Sequence, residues 1–597
     1  MIEGLLKQAL GAARRGDMAA AEAACRKALA QAPDRPDALQ LLGLIAVETG
    51  RRTEGEQLMR RSLELSPEQP HVWNNLGNLL ATKDDLEGAK EAYEKAVGYA
   101  PAYTDAWLNL ADLLAKQGDL EAAMAAADRA LAEDAGAFKA HGIKGRLLKD
   151  AGRLEEAEES LKKALQANPR YVEALNNLGV VCRMLDRPGE AIGHYKQALA
   201  LKRDVAEVYY NLANAFLDQG AFEEAVGCYN AAINLKPDYV EAHETLSKVL
   251  WEQGRQDDYL ASIPPAMQRA PRSVDLPVLF AKSLLRTGET AGATEIIEDA
   301  IGRMGADPRL EDILAKVKAD QGDMAAAVDL FRSAIEKAPG TTAYRQDFAR
   351  LLIKLGDYDE ALTQLAVCEE ARPLDQEIIA YKGLCWRFLG DPREVWLNDY
   401  ERFVRPITVP VPAGYADHAE FNAALDAALT PLHQTKVHPA DQTLRGGTQT
   451  MGALFRHDIR EVQEVRSAIE AAIRQYIDDM PDDPDHPLLG RKTGAFMFSG
   501  SWSVRLKSQG FHVNHLHSMG WLSSAYYVAL PESQGQEGWI KFGETNMGLG
   551  EREEIKRLIA PAVGTLVLFP SYMFHGTVPF AGTEHRTTIA FDVIPAE

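Results

Sequence analysis

The chain has 597 residues, which is too long for a single hydrophobic core, so we expect several domains or a long array of repeats. Apolar residues make up 46% and charged residues 25% of the composition, and these fractions exclude a largely disordered or collagen-like chain. The 87 acidic residues outnumber the 65 basic residues, and the formal net charge of −22 argues against nucleic-acid binding because an acidic surface repels phosphates.

Neither a membrane span nor a secretory signal is expected. No apolar run approaches the roughly 20 residues that cross a bilayer, and the amino terminus reads directly as a helix. The five cysteines contain no C-x-x-C pair, so they indicate free thiols in a reducing compartment rather than a disulfide framework or a zinc site. The sequence therefore predicts a cytoplasmic protein that does not bind membranes.

A 34-residue period runs through the first two thirds of the chain. Within each period the pattern fits two antiparallel helices, with a small residue near the middle of the first helix. A proline ends the second helix because it cannot continue the backbone hydrogen-bond ladder. The prolines that mark the period are Pro33, Pro67, Pro101, Pro169, Pro237, Pro271, Pro339 and Pro373.

This pattern resembles the tetratricopeptide repeat family, W-x2-L-G-x2-Y…A-x3-F…P, over about residues 1–390 and about eleven repeats. The third repeat shows it most completely, with Trp73, Leu76, Gly77, Ala89, Tyr93, Ala96 and Pro101. The resemblance implies an all-α superhelix in which each repeat buries its apolar face on its neighbours and a concave groove is left open.

Asparagines recur just before the central leucine of the first helix, at Asn75, Asn109, Asn177 and Asn211, with Ile143 interrupting the series. A side-chain amide can donate to and accept from a peptide backbone, so such a ladder predicts a groove that holds an extended polypeptide without reading its sequence. The arrangement resembles the groove of the O-linked N-acetylglucosamine transferase repeats. The alternative is that asparagine is simply tolerated on a solvated helix face.

The pattern changes after residue 390, and we expect a second domain over 391–597 with amphipathic helices near 416–430 and 458–478. Beyond residue 494 the residues alternate with a period of two, which is typical of strands. Several short strands at this spacing predict a double-stranded β-helix, that is, a jelly-roll or cupin-like sandwich with flanking helices. The predicted strands are Ala495–Lys507, Leu522–Leu530, Trp539–Phe542, Thr565–Phe569, Gly576–Phe580 and Arg586–Ile594.

Three histidines in this region form a candidate metal site. His515 and His517 face the same side of an extended segment because side chains alternate, so both can reach one ion. His575 follows the segment G-T-L-V-L-F-P and would come from a distant strand. Three ligands on one face leave open positions, as in mononuclear non-haem Fe(II) oxygenases. A His-x-His pair alone is more often structural, but the distal His575 and the following Arg586 favour a metal site.

A candidate anion site lies close by in sequence. Arg586 and Thr588 stand at i and i+2, so a guanidinium and a hydroxyl can hold one carboxylate through charge-assisted hydrogen bonds. Tyr527 shares the strand parity of His515 and His517 and would line the same pocket. The alternative is that Tyr527 is a packed tyrosine of the sandwich.

Together these segments resemble the 2-oxoglutarate/Fe(II)-dependent oxygenase superfamily, most closely a bacterial branch with H-x-H, S-G-x-x-Y and F-P-x-x-x-H segments. The resemblance covers about residues 395–597. It implies that the three histidines bind Fe(II), and that Arg586 with Thr588 binds the far carboxylate of 2-oxoglutarate. The implied reaction couples oxidative decarboxylation of 2-oxoglutarate by O2 to hydroxylation of a C–H bond.

The sequence departs from the usual H-x-D/E…H pattern of this superfamily because His517 occupies the acidic position. A neutral imidazole in place of a carboxylate leaves a more positive metal site. The site is therefore a three-histidine variant, or it takes an acid from elsewhere in the chain, or it is impaired.

The sequence favours a 2-oxoglutarate-dependent hydroxylase that acts on a protein or peptide held by the repeats. One alternative is a three-histidine dioxygenase for small molecules that does not use 2-oxoglutarate, in which the repeats serve assembly. Another is a protein-interaction scaffold with an inactive jelly roll. The repeats also allow a homo-oligomer, although no interface is legible in the sequence.

Overall fold

The computed structural model describes residues 2–438, 443–450, 452–532, 534–582 and 584–596. The chain divides into two compact units, Met1–Gln219 and Gly220–Glu597. Among the described helices, none is both long and apolar enough to cross a membrane. The predicted domain boundary at residue 390 lies inside the second unit and stays a prediction.

The first unit is built from antiparallel helix pairs, as the 34-residue period predicts. Its helices are α1 (Ile2–Arg14), α2 (Met18–Gln31), α3 (Pro36–Glu48), α4 (Arg52–Leu65), α5 (Pro70–Ala81), α6 (Leu86–Tyr99), α7 (Thr104–Lys116), α8 (Leu120–Glu133), α9 (Phe138–Asp150), α10 (Leu154–Ala167), α11 (Val172–Met184), α12 (Pro188–Leu201) and α13 (Ala206–Asp218).

Capping residues and prolines set the ends of these helices. The side chain of Asp85 accepts a hydrogen bond from the backbone N–H of Gly88 and so caps the start of α6. Helix α6 ends at Tyr99, two residues before Pro101. The other period-marking prolines follow their helices at the same distance, which confirms the prediction that proline ends the second helix.

Glycine in the first helix allows the second helix to pack closely, as predicted. A Cβ atom added at Gly77 would lie 2.6 Å from Cε1 of Tyr93, and one added at Gly179 would lie 2.5 Å from Cε1 of Tyr195. These distances are too short for any larger residue, so the buried tyrosine ring occupies the space that the missing side chain leaves.

The second unit begins with further helix pairs. Its repeat helices are α14 (Phe222–Leu235), α15 (Val240–Glu252), α16 (Ile263–Arg269), α17 (Asp275–Arg286), α18 (Thr290–Met304), α19 (Pro308–Asp320), α20 (Met324–Lys337), α21 (Thr342–Leu355), α22 (Tyr358–Ala371) and α23 (Gln376–Leu389). Helix α16 is short because Pro264 and Pro265 are tolerated only in its first turn.

The carboxyl-terminal region contains a few helices and short strands. Its helices are α24 (Arg393–Leu397), α25 (Tyr400–Phe403), α26 (His418–Leu429) and α27 (Arg460–Asp478), and the last two confirm the predicted amphipathic helices. Its strands are β1 (Arg405–Thr408), β2 (Leu444–Gln449), β3 (Phe496–His512), β4 (Leu522–Ala529), β5 (Ile540–Phe542), β6 (Arg557–Ile559), β7 (Thr565–Pro570), β8 (His575–Thr577) and β9 (Arg586–Pro595).

Each predicted strand is present, with differences at the ends, and β1, β2 and β6 are additional. Strand β1 contains Pro406 and lies at the edge of its sheet, where a missing N–H is tolerated. Strand β2 contains Gly446 and Gly447, which erase the alternation that marks a strand in the sequence. Short edge strands of this kind leave no periodic signal.

The strands form antiparallel sheets in a jelly-roll arrangement, which confirms the predicted fold class. The larger sheet has the order β1-β7-β4-β9-β3-β2, and the smaller sheet has the order β6-β5-β8. The chain leaves the larger sheet at the end of β7 and enters the smaller one at β8. His575 is the first residue of β8 and pairs with Phe542 of β5.

One continuous apolar core joins the last repeats to the sheets within the second unit. This core includes Phe348, Tyr381 and Trp386 from the repeats, and Phe569 and Phe574 from the jelly roll. Tyr381 and Phe574 stack with ring centroids 6.4 Å apart. The last repeat helices, which end with α23, therefore cover apolar residues that the jelly roll would otherwise expose to water.

The Arg552 side chain ties the same two parts together. It donates hydrogen bonds to the carbonyl oxygens of Ile353, at 3.1 Å, and Lys354, at 2.7 Å, and to the Tyr358 hydroxyl at 2.8 Å. The last carbonyls of a helix lack the donors that the next turn would supply, so Arg552 adds donors at the end of α21, where Gly356 also donates to the Ile353 carbonyl at 3.2 Å.

A shortened chain that begins at residue 391 is expected to lose its cooperative thermal unfolding transition, because it lacks the helices that cover its core. A chain that begins at residue 220 keeps the whole compact unit and is expected to retain the transition. Circular dichroism melting curves of the two proteins measure the difference. A sharp transition for residues 391–597 alone would show that the jelly roll folds without the repeats.

Candidate metal centre

Two backbone hydrogen bonds hold His515 and His575 side by side. The N–H of each residue donates to the carbonyl oxygen of the other at 2.8 Å. The N–H of His517 donates to the carbonyl oxygen of Ser571 at 3.0 Å. The segment that carries the His-x-His pair is thus fixed against the turn between β7 and β8.

The three imidazole rings converge on one point. Nε2 of His515 and Nε2 of His517 are 3.2 Å apart. The ring centroids of His515 and His575 are 4.2 Å apart, and those of His517 and His575 are 5.1 Å apart. One ligand nitrogen from each ring lies within 4.8 Å of the others. Because nitrogens that share one ion at about 2.1 Å lie up to ~4.2 Å apart, small ring rotations suffice for all three to bind.

Hydrogen bonds at Nδ1 orient two of the rings. Nδ1 of His515 donates to the carbonyl oxygen of Val513 at 2.8 Å, and Nδ1 of His575 donates to that of Met573 at 3.0 Å. A carbonyl oxygen only accepts, so Nδ1 carries the hydrogen in both rings. The lone pair is then on Nε2, which is the nitrogen available to a metal.

Burial keeps the imidazoles of His515 and His575 neutral. Burial and the adjacent His517 together lower the pKa of His515 to about 3. Burial also holds the pKa values of His575 and of the neighbouring His512 well below the usual value for histidine. Neutral imidazole is the form that binds metal ions, so His515 and His575 can bind a metal ion without first releasing a proton.

A cavity of about 390 Å³ opens beside the histidines. Strand β9 supplies one wall because alternate residues face the same side of a strand. The wall residues from β9 are Arg586, Thr588, Ala590 and Asp592. The predicted carboxylate-binding pair and the predicted metal ligands therefore line one cavity.

Arg586 is buried, and no described residue supplies it with a counter-charge. It is 3% exposed, and its Cζ atom lies 5.2 Å from the ring centroid of Tyr527. Among the described residues, neither Nε of Arg586 nor the Tyr527 hydroxyl has a hydrogen-bond partner, and no ion pair includes Arg586. Burial lowers the pKa of the guanidinium, whereas Tyr527 raises it. A buried cation of this kind fits an anionic group supplied by a ligand.

Two further residues near the site differ in whether they line the cavity. Tyr527 is fully buried beneath Arg586 and is not among the described residues that line the cavity. His512 also lines the cavity and stacks on His515 with ring centroids 5.7 Å apart.

Sequence reasoning missed two neighbours of His517. The indole of Trp502 stacks on the His517 ring with centroids 5.9 Å apart. Both carboxylate oxygens of Asp592 lie 2.7 Å from Nδ1 of His517. The alternation that selects Arg586 and Thr588 extends to Asp592, so this residue could have been found from the sequence.

A separate groove of about 750 Å³ lies in the first unit. Asn109 and Asn177 line it, together with Ile143, the residue that interrupts the ladder. Asn75 and Asn211 are not among the described lining residues. Instead, the Asn211 amide reaches the groove wall through a hydrogen bond of 3.0 Å to Asn176. The amide of Asn109 donates in the same way to Asn74, at 2.8 Å.

Comparisons with protein families agree with the two parts of the chain. The family described as "Putative 2OG-Fe(II) oxygenase" matches residues 500–592, a stretch that contains every candidate metal and carboxylate ligand named above. A tetratricopeptide repeat family matches residues 12–79 and 318–383. The family described as the C-terminal domain of cilia and flagella-associated protein 70 matches residues 59–276. A search of curated proteins finds no match.

Two solved structures are among those similar to this chain. A tetratricopeptide repeat protein from Parabacteroides merdae is 18% identical to this chain. The match covers 42% of this chain and 98% of the other protein, with a TM-score of 0.36. Yeast Tom70 is 16% identical, covers 66% of this chain and 96% of its own, and has a TM-score of 0.37. The chain therefore combines tetratricopeptide repeats with a carboxyl-terminal domain that matches the 2OG-Fe(II) oxygenase family.

Proposed function

We propose that this protein is an Fe(II)- and 2-oxoglutarate-dependent dioxygenase that hydroxylates a protein or peptide held by its repeats. The observation that supports the proposal is the cavity in which three histidines that could share one metal ion face a buried arginine with no counter-charge among the described residues. We further propose residues 1–390 as the repeat domain, 391–597 as the oxygenase domain, and the cytoplasm as the compartment.

In this proposal His515, His517 and His575 hold the iron through one nitrogen each. The iron and its co-substrate supply the activation of O2 and the oxidation of an unreactive C–H bond. The protein contributes ligand positions that are set by its fold, because backbone hydrogen bonds hold His515 and His575 side by side. Phe569, with its ring centroid 4.5 Å from that of His575, shields this ligand from water.

Arg586 and Thr588 bind the far carboxylate of 2-oxoglutarate in this proposal. The guanidinium offers parallel N–H donors, and the Thr588 hydroxyl lies two residues along the same strand face. Burial strengthens such a pair because little water competes for either charge. The Tyr527 ring packs beside the guanidinium, with its centroid 5.2 Å from Cζ of Arg586, and so helps to hold Arg586 in position.

The asparagine-lined groove is proposed as the site that holds the polypeptide substrate. Its amides offer donors and acceptors that match a peptide backbone, and tetratricopeptide repeats generally mediate protein interactions. Because the groove and the metal centre belong to one chain, weak contacts in the groove raise the local concentration of substrate at the metal.

Anaerobic titration with Fe(II), in the presence and absence of 2-oxoglutarate, tests the proposal directly. The protein is expected to bind one Fe(II), and addition of 2-oxoglutarate is expected to produce a weak visible metal-to-ligand band. Iron-loaded, folded protein without such a band would exclude the co-substrate. The alternative three-histidine dioxygenase that does not use 2-oxoglutarate would then be preferred.

The His575→Ala variant is expected to lose tight Fe(II) binding, because two histidines cannot replace a three-nitrogen ligand set. Equilibrium dialysis under anaerobic conditions measures the affinity. His585→Ala is the matched control, since His585 is exposed and does not line the cavity. Equal Fe(II) affinity in the two variants would contradict the metal centre.

The Arg586→Gln variant is expected to bind 2-oxoglutarate at least about 100-fold more weakly, since a buried carboxylate would be left without its counter-charge. Its Fe(II) affinity should change little. Arg491→Gln is the control, because burial also lowers the pKa of Arg491 but this residue lies outside the cavity. The intensity of the visible band during 2-oxoglutarate titration reports binding, and an unchanged titration would remove Arg586 from the co-substrate site.

Replacement by alanine of Asn109 and Asn177, the two predicted asparagines that line the groove, is expected to weaken peptide binding at least about tenfold, because several backbone hydrogen bonds are lost together. Fluorescence anisotropy with unstructured peptides of permuted sequence measures the affinity, and the unmodified protein should bind them within a few-fold of one another. The control replaces two exposed amides outside the groove by alanine, at Gln57 and Gln166. Equal peptide affinity in the two variants would contradict the groove.

A further inference from the structure

One of the three imidazoles differs from the others in its hydrogen-bond partner. His515 and His575 donate to neutral backbone carbonyls, whereas Nδ1 of His517 lies 2.7 Å from both oxygens of the Asp592 carboxylate. An ionised carboxylate only accepts hydrogen bonds, so Nδ1 of His517 is the donor. Nε2 of His517 lies 3.2 Å from Nε2 of His515, so it faces the ligand cluster, and in the neutral ring it carries the lone pair that a metal ion binds.

The position of Asp592 is tightly set by the sheet. Asp592 of β9 pairs in register with Ser523 of β4, and the Ser523 hydroxyl donates to Oδ1 of Asp592 at 2.6 Å. Ser523 is in turn 2.8 Å from the Ser571 hydroxyl. The carboxyl side chain of Asp592 is 15% exposed, so few water molecules compete for its charge. The carboxylate cannot swing away from His517 without breaking these bonds.

Charge explains why a carboxylate at this place matters. Two neutral imidazoles and one carboxylate reduce the charge of a divalent ion to +1, whereas three neutral imidazoles leave it at +2. A carboxylate that accepts from the far nitrogen of a ligating imidazole raises the electron donation of that ring to the metal. Asp592 thus brings the missing negative charge to the site through one ring, without being a ligand.

We propose that Asp592 is the acid of this metal centre and acts through His517. The inference rests on the proposed function, because it assigns a positioning residue to the same metal centre. In this arrangement the acid of the usual H-x-D/E…H pattern is moved outward by one imidazole. The chain thus keeps a carboxylate that offsets the charge of the metal ion, although His517 occupies the position where the usual pattern has an acidic ligand.

Strand β9 then carries opposite charges at the two ends of the cavity. Arg586 and Asp592 share one face of the strand, and six residues of extended chain span about 20 Å. A ligand with carboxylates at both ends is attracted toward Arg586 and repelled by Asp592. The far carboxylate of 2-oxoglutarate is therefore directed to the arginine end, while the metal offsets the repulsion at the other end.

The Asp592→Asn variant tests the assignment with Co(II) alone as the probe. Competition with a chromophoric chelator is expected to show Co(II) affinity about 10- to 100-fold below that of the unmodified protein, the range found when such supporting carboxylates are removed. The visible d–d spectrum of bound Co(II) should shift as well, because the His517 ring donates less charge. Asp426→Asn is the control, since Asp426 pairs with Arg505 outside the cavity.

A compensating variant separates charge from folding. The double variant His517→Asp/Asp592→Asn moves the carboxylate into the usual ligand position and is expected to bind Co(II) more tightly than Asp592→Asn. Ser523→Ala leaves Asp592 in place but removes its O–H donor, and a several-fold loss of Co(II) affinity is expected. Thermal melting of each variant reports whether the fold is retained.

Two results would overturn the inference. One is Co(II) affinity and a spectrum in Asp592→Asn equal to those of the unmodified protein. The other is a double variant that binds no better than Asp592→Asn while Ser523→Ala binds normally. Failure of the proposed function gives a different result, in which the protein binds the metal but does not respond to 2-oxoglutarate. The Co(II) affinities of the Asp592 variants can still be compared in that case.

Discussion

The metal centre depends on a main-chain interaction, the exchange of two hydrogen bonds between His515 and His575. These bonds join segments that are distant in the chain and bring both imidazoles to one point. The pairing of β8 with β5 extends the contact, and Phe569 packs against the His575 ring. Because these bonds involve only backbone atoms, the ligand geometry is part of the fold rather than a consequence of metal binding.

Burial decides the charges around this centre. It lowers the pKa values of His515 and His575, so these two ligands are neutral, and it holds Arg586 in a place where the described chain supplies no acid. An unpaired buried cation costs several kcal/mol unless a ligand neutralises it. The fold bears this cost at one end of the cavity and places Asp592 at the other end. The cavity is thus polarised along β9, in the direction that an extended dianion would adopt.

The repeats have different surroundings in the two units. In the second unit α21 and α23 share an apolar core with the jelly roll, and Arg552 closes the carboxyl end of α21. These repeats are part of the structure that supports the metal centre. In the first unit the groove amides bond to one another, as Asn109 does to Asn74, so each amide is oriented while it retains further donors or acceptors for a ligand.

The sequence alone determined the features that depend on local period. The 34-residue repeat predicted the helix pairs, the helix-ending prolines and the close contact at Gly77, and the alternation beyond residue 494 predicted most strands. The same alternation placed Arg586 and Thr588 on one face. Only the tertiary structure decided that Asp592 meets His517, since that contact depends on the β4–β9 register and on backbone bonds between distant segments. Strand pairing over such separations has no periodic trace in a single sequence, because it is set by packing rather than by neighbouring residues.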